Sequence, residues 1–364
     1  MMKTIFKIQC LLFAILISSC GGGSKSGGNS TSSSAVSSVY KYYVYVANYS
    51  DNTISSFSMS RDTGLLTAIE TVSAGDDVGN PISLAQSPSG DKLYVAKNGG
   101  KLQVFNVNKA NGALTLFQSI AVNSLGSSSV TVSQDGRFVY LSSYNGTGTI
   151  FSVSSLTGTL MQYKALDFMA SKLVIHPSGD MMMFMGAPGV TFWPINKSTG
   201  DILISGGAYT ASVSTPNSIV LNPDGSRMYL SHGTGYGLIN LYNVDSTNRT
   251  GSYIDMASSG TNFSDSLAIS NFGKILLATE PNTNLLHSFL INSSTGKLTE
   301  VESKTLGTYP RKVAFFPDGQ YALVINVTSK TISSVLVDEN SGSLKVLGSA
   351  SIGSGGQDLI ILKL

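Results

Sequence analysis

Short stretches of alternating polar and apolar residues, separated by turns, make up most of the chain. Between Pro81 and Leu114, residues 81–86 fit a first strand, residues 93–96 a second and residues 103–107 a third. A Pro-Ser-Gly turn follows the first strand, and the loop at 108–112 ends on Gly112 before a fourth strand that starts at Leu114. This pattern predicts a four-stranded antiparallel sheet.

The same unit recurs sevenfold, about every 46 residues, from Tyr45 to the C-terminus. Two sets of glycines mark its turns. The hairpin turns hold Gly64, Gly112, Gly158, Gly200, Gly251, Gly296 and Gly342, and the Pro-Asp-Gly-like turns hold Gly90, Gly136, Gly179, Gly225, Gly273 and Gly319. One such sheet cannot bury both of its faces alone and must pack on its neighbours. The sequence therefore predicts an all-β, seven-bladed β-propeller over residues 40–364.

The two ends of this region complement each other. Residues 355–362 fit an innermost strand with nothing after it, and residues 42–48 fit a second strand with nothing before it. Together they complete one four-stranded blade, so we expect the N- and C-terminal strands to close the ring. Closure of this kind removes exposed sheet edges.

The order of strands also separates two faces of the disc. Turns between the first and second strands, and between the third and fourth, lie on one face and repeat with little change. The other connections lie on the opposite face and differ in length and chemistry from blade to blade. We call this second face the variable face, and we expect a ligand site there because loops can specialise on a rigid scaffold.

Residues 1–19 have the pattern of a signal peptide, with Lys3 and Lys7 before an apolar segment too short to span a bilayer. The run from Leu16 to Cys20 resembles the lipobox of bacterial lipoproteins, in which Cys20 becomes the lipidated first residue. The alternative is an ordinary secretory signal with a chance cysteine. Acyl chains on Cys20 would make the membrane a partner of the protein.

Residues 20–39 combine the predicted lipidated cysteine with a tether that is almost wholly Gly, Ser, Thr and Asn. Such a segment behaves as a flexible coil because it has too little apolar surface to bury. Gly21, directly after Cys20, resembles the pattern of lipoproteins sent to an outer membrane. The predicted location is the cell envelope, with the protein lipid-anchored at the outer membrane.

Composition excludes several classes of partner and cofactor. The chain has 23 basic and 21 acidic residues, and loss of Lys3 and Lys7 with the signal peptide leaves a neutral protein without a basic stripe, which argues against nucleic acid. Both cysteines, Cys10 and Cys20, lie in the targeting segment, so the body has no disulfide or thiolate ligand. The three histidines occupy unrelated contexts, and we predict neither a metal nor a cofactor.

Four motifs resemble the seven-bladed lactonase family, which includes bacterial 6-phosphogluconolactonase and the fungal carboxymuconate-lactonising enzyme. The motifs are Tyr45-Val46-Ala47-Asn48, Arg61-Asp62-Thr63-Gly64-Leu65, Asn222-Pro223-Asp224-Gly225 and Pro310-Arg311-Lys312-Val313. The resemblance covers residues 40–364 and also extends to surface-layer propellers with Tyr-Val-Thr-Asn repeats. It implies a site at the mouth of the central channel, built from His, Arg and Glu where the inner strands start.

Counting back nine residues from each Pro-Asp-Gly-like turn locates the starts of the inner strands. The residues just inside them are Ile82, Ser128, Ser171, Asn217, Asp265 and Arg311, with Gln357 in the closing blade. Only Arg311 matches the family pattern. Ser128 and Ser171 replace His or Arg, and Gly186-Ala187 stand where the resemblance implies an acidic loop residue in the fourth blade. The predicted ligand-binding face therefore comprises Asn217, Asp265, Arg311 and Gln357.

Four residues are candidates for catalysis. Arg311 can bind a carboxylate or phosphate, or form a structural salt bridge with Asp265 on the adjacent blade. His232 and Glu280 occupy equivalent positions on neighbouring blades, as a base with its orienting partner or as independent surface groups. His176 lies in a turn and His287 within a third strand, and we assign both to structure.

Since most of the family's polar set is missing, the sequence favours a binding or interaction module at the cell envelope. Its ligand would be a protein, a glycan or a small molecule on the variable face. The alternative is a lactonase that uses the channel mouth around Arg311. A structural envelope or adhesion protein is a third possibility with the same physical properties as the first.

Overall fold

The computed structural model describes residues 41–75, 79–122, 126–145, 148–166, 169–186, 189–203, 208–210, 216–232, 237–260 and 264–364. The regular structure within these ranges is entirely β, with 28 strands in seven four-stranded antiparallel sheets. None of these ranges contains a helix long and apolar enough to cross a membrane. The predicted signal peptide, Cys20 and the tether lie outside the described residues. The prediction of an all-β, seven-bladed propeller is confirmed.

Each blade runs from an inner strand beside the propeller axis to an outer strand at the rim. Blade 1 contains β28 (Gly356–Lys363), β1 (Tyr42–Asn48), β2 (Thr53–Met59) and β3 (Leu66–Ser73). Blade 2 contains β4 (Pro81–Gln86), β5 (Lys92–Lys97), β6 (Lys101–Val107) and β7 (Leu114–Ala121). Blade 3 contains β8 (Ser127–Val132), β9 (Phe138–Ser143), β10 (Gly148–Val153) and β11 (Leu160–Leu166). Blade 4 contains β12 (Lys172–Ile175), β13 (Met181–Gly186), β14 (Gly189–Pro194) and β15 (Ala208–Thr210).

The remaining three blades follow the same order. Blade 5 contains β16 (Pro216–Leu221), β17 (Arg227–His232), β18 (Leu238–Asp245) and β19 (Thr250–Ser258). Blade 6 contains β20 (Leu267–Ile269), β21 (Ile275–Glu280), β22 (Leu285–Ile291) and β23 (Leu298–Thr305). Blade 7 contains β24 (Pro310–Phe315), β25 (Tyr321–Asn326), β26 (Thr331–Val337) and β27 (Leu344–Ser351).

Blade 1 closes the ring as the sequence predicts. The C-terminal strand β28 pairs antiparallel with β1, from Tyr42 opposite Lys363 to Ala47 opposite Asp358. The N- and C-terminal strands therefore belong to one sheet, and β1 has a hydrogen-bonded neighbour on each side.

Turn glycines let neighbouring blades approach closely. All six glycines of the Pro-Asp-Gly-like turns have positive φ, and so do six of the seven predicted hairpin glycines. Gly251 is the exception, because it lies within β19, and Arg249 takes the left-handed conformation of that hairpin with φ 54°. A Cβ added at Gly112 would lie 2.4 Å from the ring of Tyr43 on the preceding blade. These glycines are therefore required for packing as well as for the turn.

Apolar side chains fill the spaces between blades rather than one central core. Seven clusters of buried residues occur, each built from two adjacent blades. Buried tyrosines add a polar contact at some of these interfaces. The Tyr45 hydroxyl donates to Gly112 O on the next blade at 2.9 Å, and Tyr140 and Tyr229 donate to Gly200 O and Gly296 O. Stability therefore comes from repeated contacts between neighbours.

A second set of contacts surrounds the axis. The axial ring comprises one residue from each inner strand: Ser83, Ser129, Lys172, Ser218, Ser266, Lys312 and Asp358. Its four serines each accept a hydrogen bond from a backbone N–H of the next blade, at 3.1–3.4 Å. Asp358 does the same with Leu84 N at 2.9 Å. At five of the seven blade junctions, one side-chain oxygen therefore accepts a hydrogen bond from the backbone of the next blade.

We expect Ser218→Ala to destabilise the propeller by about 1–3 kcal/mol, since it leaves the buried Leu267 N–H without its acceptor. The free energy of unfolding in urea measures this effect. Ser198→Ala, in an exposed hairpin of blade 4, is the control and should change that free energy by less than about 0.5 kcal/mol. Equal effects of the two substitutions would contradict a role for the axial ring in joining the blades.

Candidate functional site

A β-bulge turns two successive residues of an inner strand towards the axis. In blade 2 the pairing of β4 with β5 skips Ile82, and in blade 7 the pairing of β24 with β25 skips Arg311. Blades 1, 3 and 5 have the same register shift at Gln357, Ser128 and Asn217. A bulge re-aims side chains that strict alternation would place on opposite faces.

The two layers of axial side chains enclose one cavity. We call the outer layer the mouth layer, and it comprises Ile82, Ser128, Ser171, Asn217, Asp265, Arg311 and Gln357. This layer and the axial ring line a cavity of about 160 Å³, which we call the axial pocket. All seven residues located by counting along the sequence therefore lie around the same pocket.

A wider cavity of about 560 Å³ opens above the axial pocket on the variable face. It shares Ile82, Ser128, Ser171, Arg311 and Gln357 with the pocket and adds loop residues such as Tyr49, Asn98 and Tyr144. We call it the mouth cavity. Its size lies in the range of small-molecule sites, and its lining residues belong to several blades.

Four of the five charged side chains of the axial pocket belong to the three consecutive blades 6, 7 and 1. Arg311 Nε lies 3.2 Å from Asp265 Oδ2, which is the ion pair between adjacent blades that the sequence raised as a possibility. One layer deeper, Lys312 Nζ lies 2.9 Å from Asp358 Oδ1. The Arg311 side chain remains 38 % exposed, so pairing with Asp265 does not remove it from the cavity.

Lys172 is the fifth charged residue of the pocket, and it comes from blade 4. Its half-buried side chain forms no ion pair with the described residues. Loss of hydration lowers the pKa of Lys172 to about 7, and the nearby Lys312 ammonium lowers it further, against the opposing effect of Asp358 and Asp265. Its surroundings in the pocket thus favour the uncharged amine.

Burial also affects the opposing carboxyl group. Desolvation raises the pKa of Asp265, although Arg311, Lys312 and Lys172 all act to lower it. Three basic and two acidic side chains thus share one small pocket. With all five ionised, the pocket is cationic by one charge and suits an anion or a developing oxyanion.

The other residues of the mouth layer are neutral. Ser128 Oγ donates to Ala170 O at 2.6 Å and lies 2.9 Å from Ser142 Oγ, and Ser171 Oγ donates to Met185 O at 2.9 Å. Asn217 and Gln357 line the pocket without a hydrogen bond to either ion pair. Blades 2 and 3 therefore present hydroxyl groups and Ile82 opposite the charged blades.

The suggested pairing of His232 with Glu280 is wrong for the described residues. Glu280 is buried beneath Gly260, and its Oε2 lies 3.0 Å from His287 Nε2 on the same blade. His287 Nδ1 contacts Glu300 Oε1 at 2.8 Å, so His287, which the sequence assigned to structure, is the centre of a hydrogen-bonded network. Burial lowers the pKa of His232.

Neither His232 nor Glu280 is among the described residues that line the axial pocket or its mouth. His176 has the structural role that the sequence suggested, since it is buried and its Nε2 lies 3.1 Å from Gly225 O of the next blade. Within the described ranges, no three His, Cys, Asp or Glu side chains are grouped to hold a metal ion.

Sequence reasoning missed Lys172, Lys312 and Asp358 as site residues. It took one residue from each inner strand, because side chains normally alternate between the two faces of a strand. In blades 1 and 7 a bulge breaks that alternation. Comparing the repeats at the next position along the chain would have identified Lys172, Lys312 and Asp358. Four blades have serine at that position, and the other three have a charged residue.

Comparisons with known proteins agree with this architecture. The model of the family described as "Lactonase, 7-bladed beta-propeller" matches residues 21–126, 205–305 and 252–357. The chain is 24 % identical over 331 residues to the 6-phosphogluconolactonase of Formosa agariphila, covering 80 % of this chain and 90 % of that protein. Two solved structures cover 88 % of this chain at 20 % identity.

One of these structures is a Bacteroides fragilis protein provisionally assigned as a 6-phosphogluconolactonase, with a TM-score of 0.77 over 98 % of its length. The other is a periplasmic gluconolactonase of Pseudomonas aeruginosa, with a TM-score of 0.74 over 99 % of its length. At this identity the two structures establish similarity of fold.

We expect the stability of the protein to rise between pH 7 and pH 9 through the amine of Lys172. In that range the unfolded chain keeps the Lys172 proton while the folded protein has lost it, so raising the pH favours the folded state. The gain is at most about 1.4 kcal/mol per pH unit. Urea unfolding of the wild type and Lys172→Met at both pH values measures it.

Lys172→Met should lack this contribution and should unfold at higher urea than the wild type at pH 7. Both proteins contain the same other titratable groups, so the difference between their pH dependences reports Lys172. An identical pH dependence in the two proteins would mean that Lys172 remains charged in the fold.

Proposed function

The chain belongs to the seven-bladed β-propeller lactonase family, and we propose that it is a lactone hydrolase whose active site is the axial pocket. The observation that carries this proposal is the convergence of Lys172, Arg311 and Lys312 with two carboxylates beneath an open mouth. Of the functions raised from the sequence, the lactonase has better support than the binding module. The family and its named relatives favour it.

The reaction needs positive charge where a lactone carbonyl becomes an oxyanion. In our proposal, Arg311 supplies that charge, because it lines both the axial pocket and the mouth cavity. Asp265 holds the guanidinium in place from the adjacent blade through the 3.2 Å contact. The sequence analysis treated the Arg311–Asp265 ion pair as an alternative to a catalytic role. In our proposal the same ion pair orients Arg311 for catalysis.

We propose a sugar lactone as the substrate class. Hydroxyl and amide groups of Ser128, Ser171, Asn217 and Gln357 surround the charged cluster, and they can hydrogen-bond ring hydroxyls. Phosphorylated sugar lactones are cytosolic, so an exported enzyme would not meet them as substrates. A periplasmic gluconolactonase is nevertheless among the structures similar to this chain, so an unphosphorylated sugar lactone fits an exported enzyme.

We expect the mature protein to release acid from at least one member of a panel of sugar and acyl lactones. Arg311→Ala should lower kcat/KM roughly 10²- to 10³-fold, which is the usual cost of losing one oxyanion donor. Acid release at constant pH measures the rate. Arg137→Ala is the matched control, because Arg137 is an exposed arginine at the opposite face of the disc and should leave the rate unchanged.

Absence of acid release by a folded protein would overturn the proposal and restore the binding-module hypothesis. An Arg311→Ala variant as active as Arg137→Ala would place the reaction outside the axial pocket.

We further propose that the enzyme works outside the cytoplasm, held at the outer membrane by lipid on Cys20. Its support is the signal-like segment, the lipobox-like run that ends at Cys20 and the Gly21 that follows it. Cys20→Ser should move the protein from the membrane fraction to the soluble fraction of fractionated cells, since the anchor is lost. Persistence of this variant in the membrane fraction would contradict lipid anchoring at Cys20.

A further inference from the structure

Lys172 differs from the repeat at a position where the fold favours serine. In blades 2, 3, 5 and 6, the equivalent residue is a serine that accepts a backbone N–H from the next blade. Asp358 retains that role in blade 1. Lys172 and Lys312 therefore give up a structural contact that the other five blades keep, and such a departure suggests a role in function.

The two lysines differ in their partners. Lys312 has Asp358 at 2.9 Å, so its positive charge is balanced. Lys172 has no ion-pair partner among the described residues, and it comes from blade 4, on the far side of the axis from blades 7 and 1. A lysine that lines the axial pocket without an ion-pair partner among the described residues is available for reaction chemistry.

We propose that Lys172 is the general base of the lactonase, and this inference rests on the proposed function. The amine nitrogen accepts a proton from a water molecule as the water oxygen bonds to the lactone carbonyl carbon. The resulting oxyanion lies near Arg311. Its collapse breaks the bond between the acyl carbon and the ring oxygen, and the Lys172 ammonium returns the proton to that oxygen. The products are a carboxylate, an alcohol and one proton released to solvent.

The surroundings of Lys172 allow this proton transfer near neutral pH. The pKa of about 7 results from desolvation and the adjacent Lys312, which is how lysines are activated in other sites. Asp265, Asp358 and Arg311 are the other charged groups of the pocket. The strands packed against β12, namely β8, β9 and β13, carry no acidic, basic or histidine side chain within their bounds.

The test is the pH dependence of kcat/KM for the wild type, Lys172→Met and Lys172→Arg, measured on the lactone that the wild type hydrolyses best. We expect the wild-type value to rise with pH through one ionisation near neutrality. Lys172→Met should lose roughly 10²- to 10⁴-fold and lack that ionisation. Lys172→Arg should be similarly impaired, because arginine keeps its charge and cannot accept the proton.

Lys197→Met is the matched control, since Lys197 is an exposed lysine in the hairpin of the same blade at the opposite face. Circular dichroism and melting temperature identify any variant that fails to fold, and either Lys172 variant alone still decides the outcome. A Lys172→Arg variant with near wild-type activity would show that Lys172 acts as a fixed cation and would overturn the proposal. A wild type without turnover would overturn the proposed function and this inference with it.

Discussion

A single side-chain oxygen at each of five blade junctions constrains the geometry of the axis. Four serines and Asp358 fix the distance between neighbouring inner strands by accepting a backbone N–H across the junction. The four bonds to serine are buried, so removing one of these acceptors leaves an unpaired buried donor and carries a large cost in stability. The same residues line the axial pocket, and its shape is therefore determined by the contacts that join the blades.

Both ion pairs of the axial pocket join side chains from different blades, so their geometry depends on how the blades pack. Arg311 and Lys312 are consecutive residues of blade 7 and contact carboxylates of blades 6 and 1 on either side. Each basic group is held by a neighbouring blade rather than by its own sheet. The mouth cavity above them is lined by loop residues of other blades, which can change without disturbing the charged cluster.

The sequence was sufficient to predict the fold because each repeat contains recognisable turn residues. The turn glycines predicted the blades, their number and the closing pair β1 and β28, and only Gly251 was misplaced, by two residues from Arg249. The mouth layer was also predictable by counting from those turns. Lys172, Lys312 and Asp358 were not predicted, because strict alternation places successive residues on opposite faces, and the bulge that exposes Lys312 and Asp358 is a feature of strand pairing. The His287 network depends on three neighbouring strands and had no local signal.

The closing blade has a consequence for biosynthesis. Strand β1 precedes the other described strands and its inner partner β28 follows them, so the inner edge of β1 stays unpaired until the strands of all seven blades have been synthesised. Gln357 and Asp358 arrive only with that final strand, and Asp358 is the counterion of Lys312 and the acceptor for Leu84 N–H. A chain that stops before Gly356 therefore lacks both the strand that closes the ring and two residues that line the axial pocket. The pocket is assembled only when the ring closes.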